Sequence, residues 1–136
     1  MTTFRLQIVS MDRLIFDGQV KSVSCRTIHG DLAILAGHCN YCTAVGMGTA
    51  VVTFEDGTER SAACIGGMLS VMDGKCRLIP TTWEWSDEIS IKRAEMSKRK
   101  AEEVLRRTDV AKKDHLLAEA RLRRALVRIG AAEKNK

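Results

Sequence analysis

The strongest constraint in this chain is a change of grammar near Trp85. Nine of the ten glycines and the single proline lie before that residue, and neither type recurs until Gly130. Glycine and proline punctuate turns, so the first part reads as many short elements and the second as long uninterrupted ones. The residues after Trp85 are dominated by Ala, Glu, Lys, Arg and Leu, all good helix formers. We therefore expect a strand-rich unit over residues 1–86 and a helical unit over 87–136.

The first unit shows the period of two of half-buried strands. Phe4, Leu6 and Ile8 alternate with Arg5 and Gln7. Leu14-Ile15-Phe16 follows and is expected to end at the turn dipeptide Asp17-Gly18. From Val20 to Thr27, Val23 and Cys25 oppose Ser22 and Ser24, and Leu32–Leu35 is a short apolar run between glycines. Asp56-Gly57 and Asp73-Gly74 each separate two apolar runs, the strongest short-range hairpin signal. Turn signals roughly every eight to twelve residues favour a sandwich or barrel.

In the second unit Ser90 is placed to cap a helix by accepting from free backbone N–H groups. Ile91, Ala94, Ala101 and Leu105 then make one face, interrupted by Lys98. Arg107-Thr108-Asp109 reads as a break, with Thr108 or Asp109 capping a second helix. That helix carries a narrow stripe of Ala111, Ala118, Leu122, Ala125 and Ile129. Small side chains on both faces favour an antiparallel pair of closely packed helices. Each buried alanine removes little apolar area from water, so the pair is expected to be weakly held and movable.

The net charge of +5 is unevenly spread. Residues 1–86 carry seven Lys/Arg against eight Asp/Glu, and residues 87–136 carry fifteen against nine. The basic excess thus belongs to the helical unit and favours an acidic partner, whether protein, phosphate or anionic lipid. No apolar run reaches the ~20 residues of a membrane helix. Met1-Thr2-Thr3-Phe4-Arg5 lacks the pattern of a signal peptide, so a soluble, cytosolic chain is expected, able to dock on a membrane complex.

Five cysteines are present, and without an export signal free thiols are expected. Cys39-Asn40-Tyr41-Cys42 has the spacing of a metal or redox pair, but no second pair completes four zinc ligands. Cys25, Cys64 and Cys76 stand in strand patterns as small hydrophobes. His29, His38 and His115 form no ligand spacing or triad, and neither Gly46-Met47-Gly48 nor Gly66-Gly67 is a phosphate loop. Trp83 and Trp85, one strand step apart, read as a cover for the sandwich or hairpin, or as a partner contact.

Several segments together resemble one known family. Phe16–Ser24 resembles its F-D-G-x-V-x-S-V-S segment, and Thr27–His38 its T-x-x-G-x-L-x-I-L-x-G-H segment. Ile65–Val71 is similar to a Gly-Gly strand pair of that family. Arg93-Ala94-Glu95 and Ala118–Leu122 resemble its two C-terminal helices. The family is the epsilon subunit of F-type ATP synthases, equivalent to the mitochondrial delta subunit. Ala36 stands where the family usually has proline, and Asn40 replaces a second one, leaving that loop less pre-set.

The resemblance implies a two-sheet β-sandwich of about ten strands followed by an antiparallel helical hairpin. It implies a non-catalytic rotor subunit that links gamma to the c ring, couples ion flow to ATP synthesis and inhibits ATP hydrolysis through its helices. Its partners would be gamma, the c ring and the alpha and beta subunits, with no nucleic acid. Its place would be the cytoplasmic face of the bacterial plasma membrane, reached only through the complex. Asp31 and His38 would face the c ring, and Thr43, Met47 and Gly48 would face gamma. Arg121, Arg123, Arg124 and Arg128 would meet the acidic loop of beta. Some bacterial members bind ATP as a regulatory ligand through an I/L-D-x-x-R-A motif. Ile89, Arg93 and Ala94 match it, but Ser90 replaces the acid, so no cofactor is assigned. The competing reading is a basic nucleic-acid-binding module, against which stand few aromatics and glutamates interleaved in the first helix.

Overall fold

The computed structural model describes residues 2–134; Met1, Asn135 and Lys136, at the outer ends of the two expected units, lie outside the described residues. Seven strands come first: β1 (Phe4–Val9), β2 (Leu14–Thr27), β3 (Gly30–Leu35), β4 (Tyr41–Ala44), β5 (Met47–Phe54), β6 (Glu59–Met72) and β7 (Lys75–Trp85). A 3-10 turn, Ser86–Glu88, leads to α1 (Ile91–Arg106) and α2 (Lys112–Lys134). The strands run β1-β7-β6-β5-β2-β3, β1 also pairs with β2, and β4 pairs with β6. The sheet therefore closes on itself and flattens into a sandwich, with no helix among its strands.

The resemblance implied about ten strands, and the structure has seven because three of them cross both layers. In β6 the inward residues are Ala62 and Cys64, then Leu69 and Val71, so the alternation changes phase at Gly66-Gly67. Both glycines have positive φ, and beyond them β6 exchanges its partner β5 for β4. A similar phase change separates Cys76 and Leu78 from Trp83 and Trp85 in β7. In β2 a bulge between Val20 and Ser22 does the same, moving the inward positions from Val20 to Val23 and Cys25. Such irregularities bend a strand and re-aim its side chains. Dividing the three long strands at these points gives the expected number.

Both Asp-Gly hairpins form as read. Asp73 (φ 51) and Gly74 (φ 79) make the two-residue turn between β6 and β7, with positive φ at both central positions. Asp17-Gly18, by contrast, is not a turn. It lies inside β2, where Asp17 pairs with Gln7 and Gly18 with Leu6. The Asp17 carboxylate accepts from Arg5 Nε and Nη2 at 2.9 and 2.8 Å and from Gln7 Nε2 at 3.1 Å. Cross-strand partners thus hold as a strand a dipeptide that in isolation favours a turn.

The core gathers Phe4, Leu6, Ile8, Val20, Val23, Ile34, Val52, Leu69 and Leu78 with the thiols of Cys25, Cys64 and Cys76. Trp83 and Trp85, both 6% exposed, belong to this core and pack edge to face at 5.1 Å. They cover the sandwich. Ser90 caps α1 as expected, its hydroxyl accepting from the Arg93 N–H at 3.3 Å. The second cap is misplaced by the sequence reading: α2 begins at Lys112, with the Ala111 carbonyl accepting from His115 N at 3.0 Å. Thr108 and Asp109 remain in the exposed connection, separated from the helix by half-buried Val110. The hairpin rests on the sandwich through α2, which packs on β5, β6 and the 3-10 turn, while α1 packs on α2.

Candidate functional site

The residues read from the sequence fall into three places. Asp31 is the second residue of the edge strand β3 and is exposed; His38 follows its far end. From Asp31 to Leu35 the strand spans about 13 Å at about 3.3 Å per residue. A turn then folds the chain back, with His38 N donating to the Leu35 carbonyl at 3.2 Å. The pair therefore brackets β3 and forms no single cluster. His38 is half-buried: its Nδ1 lies 2.8 Å from the Cys39 carbonyl oxygen and its ring is 6.1 Å from that of Tyr41.

The second group is on β4 and β5. Thr43 is 6% exposed and points inward, opposite Leu69, so its side chain offers no surface to a partner. Met47 and Gly48 begin β5 and are half-buried. A Cβ on Gly48 would stand 2.9 Å from Arg26 Cβ, so the arginine stem lies directly over this glycine. Met47 shares a shallow cleft with Ile65, Gly66 and Arg124.

The third group is on the helices. Arg121, Arg124 and Arg128 recur at three- and four-residue steps on one face of α2 and line a cleft of ≈ 1390 Å³ between the hairpin and the sandwich. Arg123 does not line that cleft, so with the hairpin docked the four arginines do not share one face. Arg121, Arg123 and Arg124 form no ion pair among the described residues. Arg128 is engaged: its Nε donates to Glu84 Oε1 at 2.8 Å and its Nη2 to Glu84 Oε2 at 3.3 Å. Of the segment resembling a nucleotide motif, Ile89 is half-buried, Arg93 is exposed and Ala94 is buried. The hydroxyl at position 90 is occupied in capping α1, and no carboxylate stands there. These residues do not fit an ATP site of that motif.

Sequence reasoning missed Glu84 and Arg60. Glu84 captures Arg128 across 44 residues, a spacing for which no local signal exists. Arg60 binds the Asp87 carboxylate through Nε and Nη2, both at 2.9 Å, and lies 3.6 Å from Glu88. The hydrogen bonds from Arg60, reinforced by its charge, hold the Asp87 carboxyl below the usual carboxylate range. The Ser61 and Ser86 hydroxyls, both buried, are 2.8 Å apart beside it. Trp83 Nε1 is buried without a hydrogen-bond partner, and its indole lines the cleft.

Cys39 and Cys42 are exposed thiols, and the other three cysteines are buried. Burial pushes the thiol of Cys25 up to about 11 and those of Cys64 and Cys76 up to about 12. Among the described residues no helix is long and apolar enough to cross a membrane.

Comparison with known proteins divides the chain at the same place. Residues 3–86 match the family described as ATP synthase, Delta/Epsilon chain, beta-sandwich domain, and residues 87–133 match the corresponding long alpha-helix domain. The chain is 33% identical over 135 residues to an ATP synthase epsilon chain of Ruminococcus albus, covering 98% of this chain and 99% of that one. It is 36% identical over 99 residues to a sodium ion specific ATP synthase epsilon chain of Acetobacterium woodii, covering 73% and 74%. Its fold is similar to a chain in the OSCP/F1/c-ring structure of the Euglena gracilis mitochondrial ATP synthase, with a TM-score of 0.81 at 21% identity. That likeness covers 98% of this chain and 81% of the other.

Proposed function

The chain belongs to the delta/epsilon family of ATP synthase chains, and from that premise we propose that it is a non-catalytic central-stalk subunit whose sandwich anchors the rotor and whose helices restrain ATP hydrolysis. The observation that carries this reading is the separability of the two units. The strand pairing is complete by Trp85, and the helices add no strand or backbone ladder to the sheet.

In this reading the sandwich binds gamma and the c ring. Asp31 and His38 face the ring from the two ends of β3, and Met47 and Gly48 are the accessible members of the gamma-facing set. The helices, opened into one rod from Ile91 to Ile129, would reach roughly 60 Å at about 1.5 Å per residue. Arg121, Arg123 and Arg124 then present charge to an acidic loop of beta, and Arg128 joins them once it leaves Glu84. The competing nucleic-acid reading rests on the basic excess of the helical unit alone.

Removing residues 89–136 from the subunit in the reconstituted enzyme tests the regulatory half of this proposal. ATP hydrolysis should rise while gamma and the c ring remain associated. Unchanged hydrolysis would leave the subunit an anchor alone. Replacing Asp31 and His38 by alanine tests the other half: rotation should lose coupling to ion flow with assembly intact, and normal coupling would remove both residues from the ring contact.

A further inference from the structure

We propose that the Glu84–Arg128 ion pair is the latch that holds the helical arm on the sandwich, and that the arm pivots at Ile89-Ser90. The latch is a property of the chain itself; only its effect on the enzyme rests on the inhibitory reading above.

The pair is the sole salt bridge joining α1 or α2 to a strand among the described residues. It is bidentate, and its side chains are only 25% and 29% exposed. The planar guanidinium matches the carboxylate with two parallel hydrogen bonds, which fixes orientation as well as distance. No other side-chain hydrogen bond joins the arm to the strands among the described residues.

The apolar support of the arm is modest, with Leu122, Val127 and Ile129 of α2 only half-buried. The buried side chains of α2 are all alanines: Ala118, Ala125, Ala131 and Ala132. Small side chains remove little apolar area from water. The cleft keeps part of the hairpin off the sheet, with Ala63, Trp83 and Glu84 on one wall and Ala101, Leu117 and Arg121 on the other. The ion pair is therefore the one directional contact that fixes how the arm sits on the strands.

The pivot follows from what stays fixed. Ser86 is held by Ser61, and Asp87 and Glu88 are held by Arg60, so the chain through Glu88 belongs to the sandwich. Helix α1 starts at Ile91 under the Ser90 cap. Between these units Ile89 (φ −76, ψ 129) and Ser90 (φ −83, ψ 105) are extended. Rotation there moves the arm without breaking a strand or a helix.

The test uses the full chain with Cys39→Ser and Cys42→Ser, and spin labels on Glu55→Cys and Thr108→Cys. Pulsed dipolar spectroscopy should give a compact distance distribution for the parent. Glu84→Gln and Arg128→Gln should each increase the long-distance population about five-fold, the scale set by one modest ion pair. The exchange Glu84→Arg with Arg128→Glu should restore the compact distribution. Labels on Glu55→Cys and Glu88→Cys should keep their separation throughout, and helix content should not change. An unchanged Glu55–Thr108 distribution in both single variants would overturn the latch. Motion of the Glu88 label, or loss of helix content, would overturn the pivot. If the arm opens as described but the reconstituted enzyme hydrolyses ATP at the parent rate, the latch stands and the inhibitory reading fails.

Discussion

The Arg60 guanidinium carbon lies 4.1 Å from the centre of the Trp85 ring. The same guanidinium donates to Asp87, so one residue near the start of β6 clamps both the last residue of β7 and the turn after it. The sandwich should therefore be better defined by a cut after Glu88 than after Ser86. Both shortened chains should fold, with the longer one modestly more stable because only it keeps the Asp87 carboxylate that Arg60 binds. Urea midpoints compare the two, and Arg60→Ala in the longer chain should erase the difference.

Gly67 permits the bend that carries β6 from one layer to the other. Its φ is +111°, and a Cβ there would overlap the Ile79 carbonyl oxygen and stand 2.6 Å from Pro80 Cα. Gly67→Ala should cost about 3 kcal/mol or more, because backbone strain and overpacking add. Gly130→Ala is the contrasting substitution: nothing lies within 4 Å and the site is inside α2. It should stabilise the helix by roughly 0.5–1 kcal/mol. Chemical denaturation followed by circular dichroism measures both.

Thiol reactivity should separate the cysteines by burial. In the native protein a neutral alkylating reagent should modify only Cys39 and Cys42 at neutral pH. Cys25, Cys64 and Cys76 combine occlusion in the core with thiols whose ionisation is pushed up by desolvation. In denaturant all five should react. Mass spectrometry of the labelled chain counts the adducts, and rapid native labelling of Cys64 would contradict the packing described.

Acid should weaken the sandwich through Asp17. Hydrogen bonds from Arg5 and then Gln7 lower its carboxyl from the ordinary 3.8 to about 2. A carboxylate lowered in the folded state contributes stability that is fully present above the unfolded value. That contribution is lost as the pH falls from about 4 through about 2. Asp17→Asn should therefore flatten the stability profile across this window, though Asp56 and Asp87, also lowered, leave part of the acid sensitivity in place. Denaturation midpoints at stepped pH would record the change.

Short-range signals were legible in the sequence because their causes are short-range. The Asp73-Gly74 turn needs two residues at positive φ, the Ser90 cap needs one hydroxyl near one N–H, and the division near Trp85 is a change of period. Both Asp-Gly hairpins and the two-unit order followed from these, whereas spacing left sandwich or barrel open and the sandwich was implied by the family resemblance. Asp17-Gly18 carried the same turn signal and became strand, because Arg5 and Gln7 on β1 held it there. The strands were undercounted in length because a bulge at Val20/Ser22 and the glycine bend at Gly66-Gly67 reverse the alternation that a period of two relies on. Thr43 turned inward, Asp31 and His38 came to bracket β3, and Arg128 met Glu84 only when the helices folded back on β7. Sequence by itself determined the strand-then-helix order, the local turns and the α1 cap, while β4 and the full lengths of β2 and β6 lay beyond it. Tertiary structure decided which charged and polar side chains meet, because that depends on contacts between residues tens of positions apart.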